Sequence, residues 1–303
     1  MTSYFAQLTT EKINPSTQSI DECDTREMLA LMNNEDQLVP VAVGKEIDSI
    51  AAAVDRLYEA LKNGGRMFYV GAGTSGRLGV LDASECPPTF GTDPELVQGY
   101  IAGGDVALRT AVEGCEDDSE AGERLIFEKR VTPRDVVVGI TASGSTPFVL
   151  GAIRMAKSIG AGTIGITTNQ NSRIEEACDI CIAPNVGPEV VAGSTRLKSG
   201  TAQKLVLNML TTGVMIKLGK VYNNLMVDLK ASNVKLYDRS IRIVRTVTGA
   251  SEQQAVEALR QSNMQVKTAI MMLETGADAS QAEEMLRRHQ GRLKAAIRSA
   301  KQA

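Results

Sequence analysis

Tryptophan is absent from this chain of 303 residues, aromatics of every kind make up 4%, and there is one histidine, His289. The chain also has no block of basic residues: 33 Lys and Arg are dispersed among 36 Asp and Glu, for a formal charge of −3. A nucleic-acid surface draws on clustered cations for phosphates and on aromatics for stacked bases, so no nucleic-acid partner is expected. Long apolar runs are missing as well. Leu205–Leu218 is the most apolar long segment, but it contains Asn208 and Lys217 and is flanked by Lys204 and Lys220. A bilayer-spanning helix needs about 20 apolar residues. The start, Met1–Gln18, is polar and lacks the charged-then-apolar order of a secretory signal. The expectation is a cytoplasmic protein without a membrane segment.

Cysteine is sparse and unpatterned: Cys23, Cys86, Cys115, Cys178 and Cys181. An odd, scattered set is not a disulfide framework. Cys178 and Cys181 have the spacing of a metal or redox pair. With no second pair and one distant histidine, they read instead as two semi-buried thiols on a strand, and no metal is expected.

What the chain does have is a globular proportion of apolar residues, 43%, arranged periodically. Residues 1–44 are polar with few periodic signals and read as an N-terminal arm. From Lys45, apolar residues at Ile47, Ile50, Ala51, Val54, Leu57, Tyr58 and Leu61 predict a helix, which Gly64 and Gly65 end. Short apolar runs follow at Met67–Val70, Leu96–Ala102, Val136–Thr141, Thr163–Thr167 and Asp179–Ala183, mostly separated by helical patterns such as Pro147–Ile159. Continuous apolar strands alternating with helices predict an α/β domain, 45–227, with a five-stranded parallel sheet sandwiched by helices. A long helix near Thr195–Leu218 is apolar on almost every side of its second half, which predicts burial against the sheet or a second subunit. Beyond Val227 only helical patterns remain, near Asn233–Val247, Glu252–Gln261, Val266–Leu273 and Ala279–Ala300, so 228–303 is expected to form a small all-helical bundle.

Two loops carry the chemistry. Gly71, Gly73, Thr74, Ser75, Gly76 and Arg77 follow the first strand and open the next helix, where exposed backbone N–H groups and hydroxyls suit an anion. The segment also matches the glycine pattern of dinucleotide sites. That reading needs an acidic residue at the end of the second strand, and Glu95 stands before the strand instead. A second loop, Thr141–Pro147, offers Ser143, Ser145 and Thr146, with Thr146 or Ser145 as a helix N-cap and Pro147 at the first helical position. Two such loops on the C-terminal ends of parallel strands point to a phosphomonoester with sugar hydroxyls beside it. Ser194 and Thr195 open a third hydroxyl-rich helix start, equally readable as a capped helix.

Carboxylates supply candidates for acid and base work. Glu85 precedes Pro87 and Pro88, which are expected to stop the helix and hold Glu85 in a turn near the first loop. Val112–Glu120 is an acidic loop in which Glu113 and Glu116 are not separable by composition.

Together these segments resemble the N-acetylmuramic acid 6-phosphate etherases of the sugar-isomerase-domain superfamily. The resemblance runs over nearly the whole chain and rests on Gly71–Arg77, Leu81–Phe90, Ala111–Asp118, Thr141–Pro147 and Val227–Asn233. It implies elimination of D-lactate from C3 of the open sugar, after loss of the C2 proton, and rehydration to N-acetylglucosamine 6-phosphate, with no metal or other cofactor. It implies Glu85 as the acid, Glu116 as the second catalytic carboxylate, and Gly73, Thr74, Ser75, Ser143, Ser145, Thr146, Ser194 and Thr195 as substrate-binding residues. One of the two carboxylates would have to be buried to stay protonated. Arg77, Lys198, Lys230 and Lys235 are candidates for the lactyl carboxylate's cation. The resemblance further implies a homodimer and a place in peptidoglycan recycling. An aldose–ketose isomerase and a phosphosugar-sensing regulator are the rival readings.

Overall fold

The computed structural model describes residues 6, 8–229 and 233–302. The chain divides into two compact units, one formed by residues up to Ser84 and Glu95–Thr211, the other by Glu85–Pro94 and the residues from Thr212 on.

The first unit is built on a five-stranded, all-parallel sheet of order β2-β1-β3-β4-β5. Its strands are β1 (Met67–Gly71), β2 (Val97–Ile101), β3 (Val136–Ile140), β4 (Gly162–Ile166) and β5 (Ile180–Ile182). All five expected strands are present. Met67, Phe68, Tyr69 and Val70 are fully buried, as are Val136, Val137 and Val138, so helices cover both faces of the sheet. The register pairs Gly71 with both Ile101 and Ile140, and Ile140 with Ile166. Four strands therefore end level, and the loops after β1, β3 and β4 leave one edge of the sheet together.

Residues 8–44 hold three 3-10 turns and two helices, α1 (Thr25–Asp36) and α2 (Leu38–Gly44), with Leu8, Thr10, Asn14 and Thr17 buried. Then come α3 (Ile47–Lys62) and α4 (Gly73–Phe90). Contrary to the expectation, Pro87 and Pro88 do not end α4. Proline's fixed φ is already helical, and what it removes is the hydrogen bond to the carbonyl four residues back, here those of Ala83 and Ser84. The helix stops at Gly91, whose φ of +62° admits the left-handed turn and whose N–H reaches Pro87 O at 2.9 Å.

The remaining helices of this unit are α5 (Ser119–Glu128), α6 (Pro147–Ile159), α7 (Arg173–Ala177) and the start of α8 (Lys198–Lys217). Helix α8 is less enclosed than its composition predicts. Val206, Leu207, Leu210, Val214 and Met215 are buried, whereas Met209 and Ile216, seven residues apart on one face, are exposed. Cys178 is buried and Cys181 half-buried, both as free thiols. A hydrogen bond between them lowers the pKa of Cys178 and raises that of Cys181.

In the second unit a two-stranded antiparallel ribbon, β6 (Val221–Tyr222) with β7 (Leu225–Met226), precedes α9 (Val234–Thr248), α10 (Glu252–Gln261), α11 (Val266–Thr275), α12 (Ala279–Arg288) and α13 (Leu293–Gln302). These helices share a core that includes Val244, Leu259, Ile270, Met271 and Leu293. Their starts are set by local sequence. Asn233 caps α9, while Ser251 with Gln254 and Asp278 with Gln281 form capping boxes on α10 and α12. The single helix expected over Ala279–Ala300 is two, because Gln290 and Gly291 turn left-handed at φ +54° and +72° and break it. Among the described residues no helix is long and apolar enough to cross a membrane.

Candidate active site

Glycines shape the first loop. A Cβ on Gly71 would stand 2.7 Å from Gly76 N, one on Gly76 2.6 Å from the Ile101 side chain, and Gly73 needs its φ of +52°. The turn is therefore tight, and α4 starts directly at the end of β1. Ser75 is buried and donates to Gln203 Oε1 at 2.9 Å. Thr74 is half-buried, with Cγ2 3.4 Å from where a Cβ on Gly200 would stand. Helix α8 thus lies against the first loop through Gly200 and Gln203, one turn apart.

The second loop is a chain of hydroxyls. Thr141 Oγ1 lies 2.7 Å from Thr146 Oγ1 and 3.3 Å from Ser143 Oγ, and Ser143 Oγ accepts from both Ser145 N and Ser145 Oγ. Thr146 is the N-cap of α6, with Pro147 at the first helical position, but its hydroxyl turns to Thr141 and leaves the helix start without a side-chain cap. Gly144, at φ +71°, passes so close to Ser172 that a Cβ would sit 2.3 Å from its Oγ. That Oγ is buried without a hydrogen-bond partner. The loop after β4, which sequence reasoning missed, buttresses this one: the carbonyl of Ala142 accepts from Thr167 Oγ1, Thr168 Oγ1 and Asn169 Nδ2. Thr168 Oγ1 also lies 3.0 Å from Ser199 Oγ and can accept its proton, which ties the second loop to the start of α8.

The third segment joins the same edge. Ser194 and Thr195 are half-buried, and Gly200 N bonds to Thr195 O at 3.0 Å. Glu189, fully buried, accepts from Lys198 N and Ser199 N and so caps α8 from outside the helix.

The acidic loop is held from two sides. Arg77 donates through Nε to Leu108 O and through Nη2 to Ala107 O, clamping the turn that precedes it. At its far end Asp118 caps α5, and Phe148 N donates to Glu116 O at 3.0 Å, so the backbone of Glu116 sits at the first turn of α6. This separates Glu116 from Glu113, which has no such tie. Helices α5 and α6 approach backbone to backbone to achieve it. A Cβ on Gly122 would be 1.9 Å from Phe148 O, and one on Gly151 2.0 Å from Ser119 O.

Glu85 lies within helix α4, rather than in the turn expected before Pro87 and Pro88. Glu85 and Glu116 are both exposed, so the burial expected of one of them is not found. The more enclosed carboxyl on this helix is Asp82, one turn before Glu85. It accepts from Tyr69 OH at 2.9 Å and Thr211 Oγ1 at 3.2 Å. Burial, partly offset by those hydroxyls and by Lys204, pushes its pKa up to about 6. No sequence pattern marked it, because Tyr69 and Thr211 come from distant elements.

Two of the four candidate cations are already engaged. Arg77 holds carbonyls, and Lys198, almost wholly buried, pairs with Glu35 at 2.5 Å. Lys235 is exposed, and Lys230 lies outside the described residues.

Residues 49–157 match the model of the glucokinase regulatory protein N-terminal SIS domain, 118–213 that of the SIS domain, and 223–272 that of the C-terminal lid domain of glucokinase regulatory protein. The N-acetylmuramic acid 6-phosphate etherase of Clostridium acetobutylicum is 58% identical over 90% of this chain and 91% of its own. Those of Caldanaerobacter subterraneus subsp. tengcongensis and Serratia proteamaculans are 58% and 56% identical over 88% of this chain, covering 87% and 90% of their own lengths.

Proposed function

The chain belongs to the N-acetylmuramic acid 6-phosphate etherase family, and from that premise we propose how its residues divide the removal of D-lactate from N-acetylmuramic acid 6-phosphate. It is a carbon–oxygen lyase, and the sugar leaves as N-acetylglucosamine 6-phosphate.

The phosphate ester lies against the first loop, where Gly73, Thr74 and Ser75 offer backbone and hydroxyl donors at the start of α4. The sugar hydroxyls face Ser143, Ser145 and Thr146, with Ser194 and Thr195 beside them. In the open-chain sugar the C2 proton is acidified by the aldehyde. Glu116 takes it, the C3–O bond breaks, and Glu85 gives its proton to the departing lactate oxygen. Water then adds to C3 of the unsaturated aldehyde. Each proton transfer of this kind contributes about 10²–10⁴-fold.

The observation that carries this reading is the Phe148 N–Glu116 O bond, which fixes a carboxylate-bearing residue at the hydroxyl-rich second loop. Enclosing the reacting groups strengthens the charge interactions among them, yet both glutamates are exposed in the single chain. A homodimer whose partner covers the site accounts for both facts, and a phosphorylated substrate supports a cytoplasmic location.

The test is D-lactate release from N-acetylmuramic acid 6-phosphate by purified protein in the presence of a chelator. Release is the expected result, and it also separates the lyase from an aldose–ketose isomerase. Tight sugar-phosphate binding without release would indicate a sensor instead.

A further inference from the structure

We propose that Gln203 is a positioning residue that governs which way the Ser75 hydroxyl points its proton, and that a bound phosphate ester reverses that direction. The proposal rests on the reading of Gly73–Ser75 as the phosphate loop.

Gln203 is on α8 and is 1% exposed, and Ser75, at 7%, is scarcely less buried. Ser75 Oγ donates to Gln203 Oε1 at 2.9 Å, and Gln203 Nε2 is buried with no hydrogen-bond partner. A buried N–H left unmade is costly, and such groups in native proteins call for an explanation. The amide's two ends have the same shape, so a half-turn about its last bond exchanges them without repacking. Nε2 then donates to Ser75 Oγ, and the serine proton is released to point elsewhere.

The two orientations differ in what they offer a ligand. With its proton directed at Oε1, Ser75 presents only lone pairs, which repel a phosphate dianion. With Nε2 donating to Oγ, Ser75 becomes a donor, polarised by the amide behind it. The orphaned N–H is satisfied, and the unpaired group is now a carbonyl oxygen, which is the more tolerated vacancy. Phosphate binding and the amide's orientation are therefore coupled. Gly200, one turn earlier on α8, lies against Thr74, so the helix that carries Gln203 packs along this same loop.

The test uses the full chain, with inorganic phosphate as a calorimetric probe and lactate release as a second readout. Gln203→Met keeps length and burial but removes both amide ends. It is expected to weaken phosphate binding and raise KM by about tenfold, with kcat changed by less than about threefold. In a Ser75→Ala background the same change should add almost nothing, because the relay is already cut. Gln203→Glu supplies a control read from the pH dependence of a single variant. As a carboxylate it can only accept, and once protonated it can donate, so its KM should approach that of Gln203→Met, or better it, as pH falls. Additive effects of Gln203→Met and Ser75→Ala, or an unchanged phosphate affinity in Gln203→Met, would overturn the proposal. Phosphate affinity that ignores Ser75→Ala as well would show that the phosphate-loop reading itself had failed.

Discussion

Glu85 and Glu116 differ in how they are held, and that difference has consequences for each residue. Glu85 projects from a helix that continues through Pro87 and Pro88, while Glu116 is tied to α6 by a backbone bond. Gln at either position keeps shape and loses the proton-transfer function. Glu85→Gln is expected to bind the phosphosugar normally and lower kcat by about 10²–10⁴-fold, measured as lactate release. Loss of binding or of folding in that variant would point to a structural role. Glu116→Gln should in addition lose exchange of the C2 proton with deuterated solvent, whereas Glu85→Gln should retain it if proton removal precedes lactate departure. Asp82 makes a prediction of a different kind. Its folded pKa of about 6 stands above the ordinary value of 3.8, so the fold favours the protonated form. That stabilisation is complete below about pH 4 and is lost as pH rises through 6. Asp82→Asn removes the charging step. Relative to wild type, it should gain stability between pH 4 and 7, on the order of 2 kcal/mol, read from denaturant midpoints. An unchanged difference across that range would mean that Asp82 is not held as described.

At the scale of elements, the glycines decide which neighbours can touch. Gly122 and Gly151 allow α5 and α6 to meet backbone to backbone, and that contact delivers the acidic loop to the second hydroxyl loop. Gly151→Ala places a methyl 2.0 Å from Ser119 O. It is expected to cost about 1–3 kcal/mol by overpacking and to lower turnover beyond what the lost stability explains, since Glu116 moves with α5. Thermal melting and lactate release on the same sample check both parts. The sheet and the two loops were legible in the sequence because each depends on a local pattern: apolar runs of strand length, then glycine and hydroxyl residues. Helix α10 was legible over Glu252–Gln261 from its helical pattern, and Ser251 with Gln254 fixes its start. What could not be read were features set by distant partners. Asp82 is enclosed by Tyr69 and Thr211, Lys198 is neutralised by Glu35, and Gln203 meets Ser75 from 128 residues away. The continuation of α4 through two prolines was missed because the rule weighs the lost hydrogen bonds and not the favourable φ.

For the whole molecule, the exposed face of α8 bears on assembly. Met209 and Ile216, at 38% and 52% exposure, lie on one face of α8, with Lys204, Asn208 and Thr212 also exposed on the helix. Leu81, on the turn of α4 before Glu85, is also 51% exposed. Isolated exposed apolar residues are ordinary, but aligned ones on a long helix mark a surface that something covers. A second copy is the occupant we favour, because the two exposed glutamates also require cover. Ile216→Glu puts a charge in that face without touching either loop. It is expected to shift the protein from dimer to monomer in sedimentation equilibrium and to reduce lactate release in proportion to the dimer lost. Phosphate binding at the first loop should survive, because Ser75, Gln203 and Thr74 belong to one chain. A monomeric variant with full turnover would mean that substrate alone excludes water from the carboxylates. A variant that stays dimeric would place the interface on another surface.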